Sequence, residues 1–137
     1  MNHGEASFHW LLEHEIHAAS RYRRFVSLLM ATCANGSDNG AGFLQNHVRS
    51  SDRVFDMGPY SAALMTETDP FGARSAAERL ADPSVGNPGF CFAAGSFPGD
   101  GRAPGEFFST VHRRLLAAAE EGGPPKEENA GELKRSA

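Results

Sequence analysis

Little in this chain stands out by abundance, and its scarcities are informative. Only two cysteines occur in 137 residues, Cys33 and Cys91, both in apolar runs without metal-ligand spacing. They read as small core residues in a reducing compartment, and pairing is open only if the fold sets them side by side. No apolar run reaches the ~20 residues of a membrane-spanning helix, and the first residues lack a signal-peptide pattern, so a cytoplasmic protein is expected. Charge of one sign is also missing: 13 Lys and Arg mix with 17 Asp and Glu, for a net charge of −4. No basic stripe marks duplex DNA or RNA as a partner. There is no internal repeat, and the length fits one small domain with a single core.

What is present is a succession of short patterned segments. Phe8, Leu11, Leu12, Ile16 and Ala19 recur at helical spacing and predict a helix over 7–23. Phe25 to Thr32 is a continuous apolar run, short enough for a strand buried on both faces. Turn formers over 35–40 predict a loop, and a short helix follows at about 41–50. Strands at 53–57 and 62–66, separated by Gly58-Pro59, form a hairpin whose apolar residues Tyr60 to Met65 are expected to be exposed. Asp69-Pro70 reads as a helix cap with proline in the first turn, so a helix should run to about Ala81. A Pro/Gly-rich loop over 82–89, a strand over 90–97 and a helix over 104–121 complete the pattern, with Phe108, Val111, Leu115 and Ala118 on one helix face. From Gly122 onward the composition is Gly, Pro and charge, too poor in apolar residues to pack, and it reads as a disordered tail. The order α-β-α-β-β-α-β-α predicts an α+β fold with one mixed or antiparallel sheet flanked by helices.

The most specific motif is Arg49-Ser50-Ser51-Asp52, with Gly58-Pro59-Tyr60-Ser61-Ala62 beginning six positions after its aspartate. This register resembles the GGDEF (diguanylate cyclase) family, in which an Arg-x-x-Asp motif precedes a strand and then the Gly-Gly-(Asp/Glu)-Glu-Phe signature. Leu11 to Met30, with its basic-aromatic turn, is similar to that family's opening helix and first core strand. Ala77-Glu78-Arg79-Leu80, Phe92 to Gly101 and Phe107 to Gly123 resemble its later segments. The resemblance covers residues 7–123. It implies a GGDEF-like palm, ferredoxin-related, over 1–123, a tail over 124–137 and a bacterial signalling role.

Measured against the family, the chemistry is missing. Joining two GTP molecules needs divalent metal ions held by carboxylate oxygens. The family supplies these from the end of the first strand and from the signature hairpin, where this chain has Thr32, Tyr60 and Ser61. Pro59 replaces the second glycine and removes an N–H donor. Only sixteen residues separate Thr32 from Arg49, so much of the family's guanine-reading segment is absent. No catalytic residue, metal or cofactor is therefore expected. Among other constellations, His9, Glu13 and His17 at i, i+4, i+8, with His14 beside them, have zinc-compatible spacing. They lack a completing ligand class and read as a solvated helix face. Ser61 has no His–Asp neighbourhood, and Asp100 reads as a turn residue. The charge pairs of the tail read as a solubilising extension.

In the family the Arg-x-x-Asp motif is an inhibitory site for cyclic di-GMP, often taken up as an intercalated dimer bridging two protein copies. The resemblance implies ligand contacts from Arg49 and Asp52, with Arg79 as the added arginine from the helix after the hairpin and Arg74 as second choice. Guanidinium matches the O6/N7 edge of guanine, and a carboxylate accepts from N1–H and N2–H₂. Two functions follow: a non-catalytic cyclic di-GMP receptor that contacts a protein partner or a second copy, or a nucleotide-free scaffold using the vacated face. On residues alone, Arg49 and Asp52 are also compatible with a simple helix-end salt bridge.

Overall fold

The structure, a computed structural model, describes residues 4–33, 40–82, 84, 86 and 89–121. Helix α1 (Glu5–Tyr22) leads into strand β1 (Val26–Cys33), and α2 (Gly40–His47) into the hairpin β2 (Arg53–Asp56) and β3 (Ser61–Thr66). Helix α3 (Pro70–Ala81), strand β4 (Phe90–Phe97) and helix α4 (Pro104–Glu120) follow. The strands form one sheet in the order β2-β3-β1-β4, antiparallel throughout. Within it, β1-α2-β2-β3-α3-β4 has the split βαβ arrangement of ferredoxin-like folds.

β1 lies in the interior because both of its faces are apolar. Val26, Leu28 and Met30 pack with Phe8, Leu12 and Ile16 of α1 and Phe107, Val111 and Leu115 of α4. The alternate residues Leu29 and Ala31 pack with Leu44 of α2 and Ala73 and Leu80 of α3. Two apolar layers thus sandwich one sheet, as the period of two along a strand requires. One polar position interrupts this pattern. Ser27 Oγ donates to the Thr68 carbonyl at 2.6 Å and lies 2.6 Å from Ser96 Oγ, so the buried hydroxyl is satisfied.

Several boundaries differ from the sequence reading for identifiable reasons. α2 stops at His47, short of residue 50, because the Arg49 N–H turns to the Asp52 carboxylate (3.0 Å) and leaves the helical ladder. The hairpin is not exposed. β3 is flanked by β2 and β1, and Ser61 to Met65 are buried; only Gly58 and Pro59 at the turn are exposed, with Tyr60 half-buried. On α4 the buried stripe is centred on Phe107, while Phe108 is half-buried and packs on Phe8 and His9. The Asp69 cap is formed, its Oδ1 accepting the Gly72 N–H at 2.8 Å with Pro70 in the first turn. Neither Cys33 nor Cys91 is in a disulfide. Cys33 lies opposite Phe90 and Thr32 opposite Cys91, so strand alternation sends the two thiols to opposite faces. Burial pushes the Cys91 thiol pKa up, with Cys33 adding to the shift. The loop expected over 35–40 lies, except for Gly40, outside the described residues, as does the tail from 122.

β4 is an edge strand, and two side chains occupy its outward backbone groups. Arg114 of α4 donates from Nη1 to the Ala94 carbonyl (2.9 Å), and Asp100 Oδ2 accepts from the Ser96 N–H (2.9 Å). The two side chains join at 2.8 Å. No helix among the described residues is long and apolar enough to cross a membrane.

Candidate functional site

Residues 49–52 form a tight turn between α2 and β2. The Asp52 N–H donates to the Arg49 carbonyl, and the Arg49 N–H donates to Asp52 Oδ2, both at 3.0 Å. The two side chains point differently. Arg49 reaches out from the turn, 68% exposed, and donates from Nη2 to Thr68 Oγ1 at 2.8 Å. Asp52 is buried, 5% exposed, and its Oδ1 has no hydrogen-bond partner. The separation between Arg49 Nε and Asp52 Oδ2 is 4.0 Å, a long ion pair. A buried carboxylate oxygen without a donor is costly, about 1–3 kcal/mol, and therefore chemically notable.

The two arginines of α3 have different neighbours. Arg79 donates from Nη2 to the His47 carbonyl at 3.3 Å, at the C-terminal end of α2 and two residues from Arg49. Arg74 instead lines an open cleft of about 530 Å³ along β4 with Glu78, Asp100 and Arg114. Arg49, Asp52 and Arg79 are thus brought to the α2–β2 junction, and Arg74 is not. Arg74 and Arg79 are five positions apart, which rotates them well away from each other on a helix of 3.6 residues per turn. Thr68 holds the Arg49 guanidinium, yet sequence reasoning passed over it. Its place directly before the Asp69 cap was the available signal.

The C-terminal end of β1 and the hairpin turn carry the neutral side chains of Thr32, Tyr60 and Ser61. Thr32 Oγ1 donates to the Pro59 carbonyl at 2.8 Å, tying the end of β1 to the hairpin turn. A Cβ on Gly40, the first residue of α2, would lie 3.0 Å from Ser61 Oγ and 3.5 Å from the Phe90 ring. Phe43 packs behind them, its ring centroid 5.4 Å from Phe90 and 6.0 Å from Phe92. The hairpin's one carboxylate, Asp56, accepts the Gly58 N–H at 3.0 Å. Burial pushes the Tyr60 hydroxyl pKa up, and the negative charge of Glu5 adds to the shift.

The histidines of α1 divide between two surroundings. His9 lies 3.7 Å from Glu5 and packs edge-on against Phe108. Glu13, His14 and His17 line a surface recess of about 260 Å³ with Trp10, whose ring stacks on His14 at 5.5 Å. Among the described residues no group of three or more His, Cys, Asp or Glu side chains is placed to hold a metal ion. Asp100 does more than shape a turn. The hydrogen bond from Arg114 holds its carboxyl below the usual range, helped by the Ser96 N–H and opposed by burial.

No family model matches the sequence, and no curated protein does. Solved structures do match. The GGDEF domain of YfiN (TpbB) from Pseudomonas aeruginosa aligns over 97% of this chain and 98% of its own, at 15% identity and a TM-score of 0.70. A sensory box/GGDEF family protein from Caulobacter crescentus aligns over 87% and 94%, at 16% identity and 0.65. A DGC protein from Thermotoga maritima aligns over 90% and 96%, at 15% identity and 0.59. At such identities the likeness speaks for architecture alone: four helices on a four-stranded antiparallel sheet, in the fold of a GGDEF domain.

Proposed function

We propose that this protein is a non-catalytic receptor for cyclic di-GMP, binding the dinucleotide at the turn formed by Arg49 and Asp52. The observation that carries the reading is the turn itself. It combines an exposed guanidinium with a buried carboxylate oxygen that has no donor. Arg49 supplies paired donors for the O6/N7 edge of a guanine, and Asp52 Oδ1, enclosed in the ligand-free turn, accepts from N1–H or N2–H₂ only when the turn opens to the ligand. Asp52 also braces the Arg49 backbone. Arg79 contributes a second cation at the same junction, whereas Arg74 belongs to the β4 cleft, where a second copy or another partner could use it. Neutral side chains at Thr32, Tyr60 and Ser61 support the absence of cyclase chemistry, because magnesium ions require carboxylate oxygens there.

Titration calorimetry with cyclic di-GMP tests the reading. Saturable binding is expected, weakened in Arg49→Ala and far weaker for cyclic di-AMP, whose adenine edges mispair with both groups. Incubation with GTP and Mg²⁺ or Mn²⁺ should yield no cyclic di-GMP above a protein-free control. One observation favours the scaffold reading: Arg49 and Asp52 already bond to Thr68 and to the turn backbone. Absence of binding heat in the intact protein would transfer the assignment to that reading.

A further inference from the structure

All four strands bring a loop to one end of the sheet. Register sets Val26 opposite both Thr66 and Phe97, and Arg53 opposite Leu64. The segments before Val26 and Arg53 and after Thr66 and Phe97 therefore share that end. The Glu67 N–H donates to the Phe25 carbonyl at 2.9 Å, and the next residue, Thr68, accepts from Arg49, which ties three of these loops together. Exposed Arg21, Arg23, Arg24, Arg49, Arg53 and Arg102 gather there. The opposite end, where α1 begins and α3 and α4 finish, exposes Glu5, Asp82, Glu120 and Glu121. A net charge of −4 conceals this division, because the fold sorts the two signs to opposite ends.

The carboxylates at the arginine-rich end are engaged. Asp52 is buried on the Arg49 N–H, Glu67 pairs with Arg24 at 3.3 Å and Asp69 caps α3. Asp100 pairs with Arg114, and Glu106 accepts the Arg102 N–H at 3.1 Å. The same end exposes aromatic rings: Tyr22 is 60%, Phe25 43% and Phe71 75% exposed. Phe71 stands in the first turn of α3, just after β3 ends. One exposed ring is ordinary, whereas several among arginines on one end mark a contact surface. The surface of an anionic bilayer satisfies both features. Its phosphates attract guanidinium groups, and aromatic rings rest in its headgroup layer. Duplex nucleic acid fits less well, because it is read by an element that enters a groove, and these loops spread across the width of the sheet.

We propose that the arginine-rich end of the sheet docks on the surface of an anionic phospholipid bilayer, with Phe25 and Phe71 in the headgroup layer and Arg23, Arg53 and Arg102 against lipid phosphates. The acidic end then faces away from the membrane, so the charge division that attracts one end also fixes the orientation. The protein lies on such a surface without crossing it. Docking of this kind does not depend on cyclic di-GMP, and Arg49 is left intact in the variants that test it.

Co-sedimentation of the full chain with phosphatidylcholine vesicles, with and without phosphatidylglycerol, tests the docking. Binding is expected only with phosphatidylglycerol and should fall as salt is raised, since a screened attraction carries it. Arg23→Gln and Arg102→Gln should each weaken it about fivefold, the worth of one basic residue near an anionic surface. Phe71→Ser should weaken it about three- to tenfold, as loss of one partly buried ring predicts. Glu120→Gln, at the far end, should leave it unchanged. The arginine variants alter only exposed side chains, so they decide the matter even if Phe71→Ser folds poorly. No binding, equal binding to both kinds of vesicle, or binding indifferent to Arg23 and Arg102 would overturn the proposal. Saturable binding of a single-stranded oligonucleotide through Arg23 and Arg102, without vesicle binding, would make this end a nucleic-acid surface and overturn it as well.

Discussion

At the scale of single residues, Arg49 and Asp52 do different work although they share one motif. Their spacing was legible in the sequence, since i, i+3 residues at a helix end lie in one neighbourhood. Which way each side chain points was not. A short carboxylate can bond its own backbone as readily as a ligand, and the turn decides between them. Arg49→Ala removes an exposed guanidinium and should lower cyclic di-GMP affinity roughly ten- to a hundredfold, with the melting midpoint near wild type. Asp52→Ala should destabilise the fold by about 1–3 kcal/mol, because the Arg49 N–H loses its charged acceptor. Chemical denaturation of both variants checks the contrast, and equal stability of the two would contradict it. His9 lies beside Glu5 and packs on the Phe108 ring, away from the turn, and His9→Ala should leave binding unchanged.

Elements show where local chemistry dominates and where the neighbourhood does. The start of α3 was readable because Asp69 and Pro70 act within one turn of the chain. Asp69→Ala should cost about 1 kcal/mol in thermal denaturation, the usual worth of such a cap. The burial of β3 was misjudged, although a signal existed. Ala62-Ala63-Leu64-Met65 does not alternate polar with apolar, which marks a strand covered on both faces. The turn between β4 and α4 conceals another constraint. Gly101 has φ 147°, and a Cβ there would lie 2.7 Å from the Phe107 backbone. Gly101→Ala should therefore destabilise the protein by about 1–3 kcal/mol through both strain and overlap. A midpoint unchanged from wild type would show that the turn can relax.

For the whole molecule, element order was legible because each segment's period is local, whereas the strand order β2-β3-β1-β4 came only with the structure. Convergence of the Arg21–Phe25 turn on Arg49 was not legible, since it depends on β3 returning beside β1 and setting Glu67 and Thr68 between them. Assembly belongs to this scale. A ligand bridging two copies should raise the mass seen in light scattering as cyclic di-GMP is added, and binding at constant monomer mass would limit the receptor to one copy. How copies can meet is further constrained by Arg114 and Asp100. With the Ala94 carbonyl and the Ser96 N–H already taken, β4 offers a poor template for a strand from a neighbouring molecule. That protection is a matter of charge, and acid can remove it. The folded-state pKa of Asp100 lies below its unfolded value, so its contribution is present above about pH 4 and is lost as the pH falls through the folded value. Once protonated, Asp100 releases both Arg114 and Ser96. Amyloid-dye fluorescence during acidification should rise at higher pH in Asp100→Asn than in wild type. The pair would then act as a guard against fibre growth, set by the proton concentration of its surroundings.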